Sequence, residues 1–152
     1  MRLIADTGGV VAAMNTAEPD HTRYLAALES ASMAVITPHV VAEVHYLLST
    51  VGAHEAAHDF LQDLAGGFYE IASPSPDDYS TAAALIKRYE GKMERKRRKP
   101  GSLDLADAMN IVIAKRYGTN LLLATDQDYR VTVPLSGHHY FVILPQDGEG
   151  ET

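Results

Sequence analysis

The chain has 152 residues, of which 46% are hydrophobic and 22% charged, and its formal net charge is −7. This length and apolar content suffice for one domain with a buried core, but not for a second full domain. The absence of cysteine excludes disulfides, thiolate zinc sites and a cysteine nucleophile, and it is typical of a cytoplasmic protein. No apolar run is long enough for a signal peptide or a membrane span, so we expect no membrane partner.

The basic residues are concentrated in one segment. Residues 87–99 hold eight of the 13 lysines and arginines and two glutamates, so this segment carries +6 and the rest of the chain −13. An acidic body with one basic segment is typical of an acidic metal pocket beside a phosphate-binding loop. A solvated linker or a protease-sensitive tip would have the same composition, and both interpretations stay open.

Short apolar runs alternate with helical patterns along the first half of the chain. MRLIA predicts a strand that ends at Asp6, and DTGG predicts a turn after it. A helix is predicted from about Pro19 to Ala31, followed by the strand MAVIT. The next helix, PHVVAEVHYLLSTVG, is predicted to begin after Thr37 as N-cap, with Glu43 at the border of its apolar stripe. The predicted stripe consists of Val40, Val44, Leu47 and Val51.

The second half continues the alternation. A helix is predicted from Gly52 to about Ala65, then the strand FYEIA, then a helix from about Asp77 to Glu90 that leads into the basic segment. Ser102 is predicted to cap a further helix that Gly118 ends, and LLLA and YFVILP predict the last two strands. Residues 146–152 read as a polar, disordered tail, which leaves residues 1–145 as one domain.

This alternation predicts an α/β fold with a mostly parallel sheet of about five strands and helices on both faces. In such sheets ligands bind beyond the carboxyl ends of the strands. Asp6 and Asp126 each follow an apolar strand pattern, so we expect both side chains at that edge.

Acidic residues lie at the ends of several apolar elements, where surface charge is not expected. Asp104 and Asp107 are in the first turns of an otherwise apolar helix, and Glu43 lies inside another. Carboxylates in one pocket repel each other, and a hard divalent cation such as Mg²⁺ or Mn²⁺ removes that repulsion. Such a cation can activate a water for phosphodiester hydrolysis. For Asp104 and Asp128, capping of a helix or turn is an equal alternative.

The segments DTGG, VVAEVHYLL, LDLADAMNIVIAKRYG and LLLATDQDY resemble, in order and spacing, those of the PIN domain, especially the VapC-type toxin ribonucleases of bacterial toxin-antitoxin pairs. The resemblance covers nearly the whole chain. It implies a three-layer α/β/α sandwich, RNA cleavage that depends on Mg²⁺ or Mn²⁺, a homodimer, and inhibition by a small antitoxin. The catalytic acids that it implies are Asp6, Glu43, Asp107 and Asp126. The metal ligands that it implies are Asp6, Asp107 and Asp126, with Asp104 and Glu43 as further acids and Thr7, Thr125 and Asp128 in support.

Two features depart from the family pattern. Gly8 stands where many relatives have Ser, so a hydroxyl is missing, and Thr7 is expected to replace it. The basic segment is also longer and more charged than the usual link into the acidic helix. We expect it to bind the RNA backbone without sequence preference, or to contact an acidic antitoxin. The residues expected to do so are Arg95, Lys96, Arg97, Arg98 and Lys99.

Three alternatives to a metal-dependent toxin ribonuclease remain open. The first two are a PIN-type nuclease that is not a toxin and a catalytically weak RNA-binding module of the same fold. The third is a zinc hydrolase, because His54, Glu55 and His58 form the pattern HEAAH on a predicted helix. Against it, no third zinc ligand is evident, and Leu61 stands where one zinc-protease pattern needs Gly. The predicted inward stripe of that helix consists of Ala57, Phe60, Leu61 and Leu64, which leaves the three residues on the polar side.

Overall fold

A computed structural model of the chain describes residues 1–96, 99–101 and 103–148, and for residues 93–101 it describes the backbone alone. The elements are β1 (Arg2–Ala5), α1 (Thr7–Met14), α2 (His21–Ser30), β2 (Met33–Ile36), α3 (Pro38–Thr50), α4 (His54–Ala65), β3 (Tyr69–Ile71), α5 (Pro76–Arg88), β4 (Met93–Lys96), β5 (Lys99–Gly101), α6 (Leu105–Arg116), β6 (Leu121–Leu123) and β7 (Val142–Leu144). Two 3₁₀ helices, Gln127–Val131 and Gln146–Gly148, follow β6 and β7. Among the residues described, no helix has the length and apolar character needed to span a membrane.

Five strands form one sheet in the order β3-β2-β1-β6-β7. Each neighbouring pair in this sheet is parallel, so the carboxyl ends of all five strands lie at the same edge. Strand β1 is central, between β2 and β6, and Asp6 directly follows it. The predicted α/β class with a sheet of about five strands is confirmed.

The helices cover both faces of the sheet because successive strand residues point to opposite faces. Leu3 and Ala5 of β1 belong to a core with the buried residues of α1, α2, α3 and α4. Ile4, between them, belongs to a second core with α5 and α6. The molecule is therefore the three-layer α/β/α sandwich that the resemblance implies.

Helix α1 is the largest departure from the sequence prediction, because it begins at Thr7, where DTGG was expected to form a turn. Gly8 and Gly9 are helical, and they lie directly against the end of β6. A Cβ atom on Gly8 would lie 2.0 Å from Thr125 Oγ1, and one on Gly9 would lie 2.2 Å from the carbonyl oxygen of Leu123. The two glycines are thus required by close packing and not by a turn conformation.

The predicted apolar stripes are partly wrong on α3 and α4. The buried residues of α3 are Val40, Val44 and Leu48. Leu47 and Val51, which were expected to point inward, are 39% and 66% exposed, because the stripe continues at four-residue spacing instead. On α4, Leu61 is likewise exposed. Thr37 caps α3 as predicted, with its side chain accepting a hydrogen bond from the backbone N–H of Val40 at 3.3 Å.

The cap of α6 is Asp104, whose Oδ1 accepts a hydrogen bond from the backbone N–H of Asp107 at 2.9 Å. Ser102, which was predicted to cap this helix, lies outside the described residues. Asp104 is in extended conformation immediately before Leu105, which is the geometry of an N-cap residue. Asp104 therefore caps a helix, which is the alternative role that the sequence allowed for it.

The segment 146–148, which was predicted to begin a disordered tail, is folded against the domain. Asp147 accepts hydrogen bonds from the Arg130 guanidinium at 2.8 and 3.2 Å and from the backbone N–H of Ile143 at 2.8 Å. Gln146 Nε2 donates to the Tyr24 hydroxyl. The side chains of Gln146 and Asp147 thus have partners on α2, on the 3₁₀ helix that follows β6 and on the edge strand β7. Residues 149–152 lie outside the described part.

The basic segment contains an antiparallel hairpin, formed by β4 and β5, with Met93 opposite Gly101 and Lys96 opposite Lys99. Strand β4 lies beside the 3₁₀ helix that follows Asp126. The hairpin therefore belongs to the same side of the molecule as the acidic helix-strand unit. Among the five residues predicted to bind RNA, Arg97 and Arg98 lie outside the described residues, as do the side chains of the other three.

Candidate active site

Two buried carboxylates lie at the carboxyl edge of the sheet. Asp6, at the end of β1, is 4% exposed and occupies the N-cap position of α1. Asp107, in the first turn of α6, is 8% exposed. Buried carboxyl groups require hydrogen bonds or counter-charges, because their desolvation is otherwise very costly. Both acids were predicted from the sequence as site residues, and the fold brings them together from distant segments.

A chain of buried hydrogen bonds connects the two carboxylates. Asn110 Nδ2 donates to Asp6 Oδ1 at 2.9 Å and to the Tyr129 hydroxyl oxygen at 3.0 Å. The Tyr129 hydroxyl donates to Asp107 Oδ1 at 3.0 Å. Asn110 and Tyr129 are 0% and 1% exposed. Neither was predicted from the sequence, although an amide one helical turn after Asp107 in an apolar helix was a signal that could have identified Asn110.

Asp104 and Asp126 lie closer to solvent. Asp104 is exposed, and Asp126 is half-buried at the start of the 3₁₀ helix, where its Oδ1 accepts from the backbone N–H of Asp128 at 2.8 Å. Both are near enough for their charges to act on Asp6 and Asp107. Four of the predicted acids therefore belong to one pocket, in which Asp104 and Asp126 also serve as caps.

The pocket is electrostatically unfavourable when all its acids are ionised. Burial, together with the charges of Asp104 and Asp126, raises the pKa of Asp6 to about 7 and that of Asp107 to about 9. The Asp6 charge also raises the pKa of Asp107, while the hydrogen bond from Tyr129 lowers it. A cation among these carboxylates would stabilise their ionised form.

Glu43 stands apart from the buried network. It is exposed on α3, and its Oε2 accepts a hydrogen bond from Thr7 Oγ1 at 3.1 Å. The Thr7 hydroxyl donates this bond, so the fifth acid contacts the residue that directly follows Asp6. The space beside Gly8 is instead filled by the side chain of Thr125. The Thr125 hydroxyl thus lies against the position that a side chain of residue 8 would occupy.

The donor set suits a hard divalent cation in its chemistry. Carboxylate oxygens are the ligands that Mg²⁺ and Mn²⁺ prefer, and the buried Asn110 Oδ1 has no hydrogen-bond partner among the described residues. In the arrangement described, however, no three His, Asp or Glu side chains of those residues converge closely enough to enclose an ion. Asp6, Asp107 and Asp126 are the residues that could hold such an ion.

The alternative zinc motif receives no support from the structure. His54, Glu55 and His58 are exposed on α4, on the polar side of the helix as the sequence predicted. No third His, Asp or Glu completes a ligand group with them in the part of the chain that the structure describes. A zinc hydrolase needs at least three protein ligands with an open fourth position.

The family model of the PIN domain matches residues 3–133, which include every predicted catalytic acid. The chain belongs to the PIN domain family. It is 32% identical over 144 residues to Ribonuclease VapC26 of Mycobacterium tuberculosis, covering 94% of this chain and all of that protein. Its fold is similar to that of VapC20 of Mycobacterium tuberculosis, a sarcin-ricin loop cleaving toxin, with a TM-score of 0.70 and 19% identity over 83% of this chain and 91% of the other. This second PIN-domain likeness supports the fold alone.

Proposed function

We propose that this PIN-domain protein is an endoribonuclease that depends on Mg²⁺ or Mn²⁺ and hydrolyses RNA phosphodiester bonds with a metal-activated water. The observation that carries the proposal is the burial of Asp6 and Asp107 in one hydrogen-bonded network, with the charges of Asp104 and Asp126 acting on both. The similarity to Ribonuclease VapC26 supports RNA as the substrate class.

The proposed roles follow from burial and contacts. When bound, the cation would lower the pKa of a water and neutralise charge that develops on the phosphate oxygens. Asp6, Asp107 and Asp126 would hold the cation, and Asp104 would supply further negative charge beside it. Glu43, exposed and oriented by a neighbouring hydroxyl, is available as a general base or as a ligand through water. The supporting residues that we propose are Thr7, Thr125 and Asp128.

RNA cleavage by the purified protein tests the proposal. We expect cleavage in Mg²⁺ or Mn²⁺, none with a chelator, and a loss on the order of 100-fold or more in Asp6→Asn, because removal of one ligand charge weakens metal binding. Asp59→Asn, which neutralises an exposed acid of α4 outside the pocket, is the matched control and should cleave like the wild type. Cleavage that persists in Asp6→Asn or with the chelator would refute the metal mechanism.

We further propose that the protein is the toxin of a cytoplasmic toxin-antitoxin pair, acts as a homodimer and is inhibited by a small antitoxin. The similarity to VapC proteins supports this role. Growth arrest on expression, relieved by the product of the neighbouring gene, would identify a toxin. Cleavage without growth arrest would instead identify a PIN-type nuclease that is not a toxin. RNA binding without cleavage would identify a catalytically weak binding module.

The basic hairpin is the proposed contact for the RNA backbone or for an acidic antitoxin. Its support is the charge of +6 over residues 87–99 and the position of β4 beside the 3₁₀ helix that follows Asp126. Replacing Lys96 and Lys99 by Ala decides between the two partners. If the hairpin binds RNA, the slope of log RNA affinity against log salt concentration should fall by about one unit per lost phosphate contact. If it binds the antitoxin, inhibition by the antitoxin should weaken while that slope stays unchanged.

A further inference from the structure

We propose that Asn110 and Tyr129 are positioning residues that hold the Asp6 and Asp107 carboxylates through one oxygen of each, so that the remaining oxygens are left to bind a divalent cation. The inference rests on the proposed function and names two residues, outside the set of acids, on which cation binding depends. We call the series Asp6, Asn110, Tyr129 and Asp107 the relay.

The direction of every hydrogen bond in the relay is determined by its two ends. When a cation holds Asp6 and Asp107 in the ionised form, both supply only acceptor oxygens, so the groups that face them must be donors. If the Asn110 amide were reversed, its carbonyl oxygen would face Asp6 Oδ1 at 2.9 Å, which is repulsive when that carboxylate is ionised. Both Nδ2 hydrogens are therefore used, one on Asp6 and one on the Tyr129 oxygen. The Tyr129 hydroxyl hydrogen is then directed at Asp107 Oδ1, 3.0 Å away.

The apolar surroundings of Asn110 argue against a purely structural role for its amide group. Asn110 lies in α6 among apolar neighbours such as Met109 and Ile111, and its own Oδ1 has no hydrogen-bond partner among the described residues. A buried carbonyl without a partner costs about 1–3 kcal/mol, and an apolar side chain of similar size would avoid that cost. The two bonds donated by the amide explain why a polar group occupies this position.

The Tyr129 hydroxyl is located by the packing of its ring. The ring lies edge-on to Phe141, with centroids 6.0 Å apart and planes at 66°, inside the core that α5 and α6 share with the sheet. A hydroxyl on a ring fixed in this way reaches Asp107 with little loss of side-chain entropy. The relay therefore fixes the positions of the two carboxyl groups relative to this core.

Binding of Mn²⁺ to the metal-free protein tests the inference independently of RNA cleavage. We expect Tyr129→Phe and Asn110→Leu each to raise the Mn²⁺ dissociation constant about tenfold, the usual range for partners that orient metal ligands. Because Asn110 and Tyr129 hold different carboxylates but share one hydrogen bond, the double variant should bind Mn²⁺ more weakly than either single variant, yet by less than the product of the two single effects. Tyr69→Phe, which removes a hydroxyl from another buried ring on the edge strand β3, is the control and should bind like the wild type.

Thermal unfolding of each variant separates positioning from folding. Tyr129→Phe keeps the ring that packs on Phe141, so it provides the test even if Asn110→Leu does not fold. Wild-type Mn²⁺ affinity in a folded Tyr129→Phe variant, or an equal loss in Tyr69→Phe, overturns the inference and leaves the proposed nuclease intact. If the wild-type protein binds Mn²⁺ but does not cleave RNA, the proposed nuclease function is refuted and the positioning role of the relay stands. A wild-type protein that binds no Mn²⁺ overturns both.

Discussion

Asp107→Asn is expected to abolish metal-dependent RNA cleavage and to raise the thermal stability of the metal-free protein. The two effects have the same origin. Asp107 is buried beside other acids, and burial with the Asp6 charge raises its pKa to about 9. At neutral pH the unfolded chain ionises this group freely and the folded chain does not, so the carboxyl group opposes folding. An amide of the same shape can still accept the hydrogen bond from Tyr129, and it removes the penalty.

The expected gain in stability is on the order of 2 kcal/mol at neutral pH, or roughly 5 °C in the unfolding midpoint for a domain of this size. The expected loss of cleavage is on the order of 100-fold or more, because the variant lacks a ligand charge for the cation. Scanning calorimetry in a chelator and an RNA cleavage assay in Mn²⁺ measure the two quantities on one preparation. Asp59→Asn should change neither. A less stable Asp107→Asn variant would show that this carboxylate is not under electrostatic stress.

The metal-free protein is expected to lose thermal stability as the pH rises from about 4 to about 9. In the unfolded chain both acids ionise near their ordinary pKa of 3.8, whereas in the folded chain burial and neighbouring charges raise the pKa of Asp6 to about 7 and that of Asp107 to about 9. Between these limits the folded state binds more protons than the unfolded state, so a higher pH favours unfolding. Above the folded-state values the penalty is complete and no longer changes. The pKa of Asp147 is lowered by its hydrogen bond from Arg130, so this residue contributes only in the acid range.

Divalent cations should reverse this loss, and the reversal should grow with pH. A cation binds the ionised carboxylates and competes with protons for them, so it stabilises the folded state most where the metal-free protein is weakest. Unfolding midpoints at about pH 5, 6, 7, 8 and 9, measured in a chelator and in Mg²⁺ or Mn²⁺, give the two curves. In Asp107→Asn the decline in the chelator should be shallower. A midpoint that stays constant or rises over this range in the chelator would contradict the predicted coupling.

The alternation of strands and helices, the parallel sheet and four of the acids in its pocket could be predicted from the sequence. Apolar runs of strand length separated by helical patterns allow few other arrangements, because parallel strands need helical crossovers. Once the sheet is parallel, acids that follow its strands meet at one edge, as Asp6 and Asp126 do. Asp107 was recognisable because an acid among apolar helix residues is rare without a partner.

Tertiary packing alone decided which other residues complete the site. An amide in an apolar helix could have drawn attention to Asn110, but its partners, and the role of Tyr129, depend on distances across three segments that no local pattern encodes. Gly8 and Gly9 read as a turn, but they lie in helix α1, where Thr125 and Leu123 leave no space for a side chain. Sequence periodicity reports which face of an element is buried, so it identified the pocket. It carries no information on which polar groups touch inside that pocket, because those contacts depend on how the elements pack.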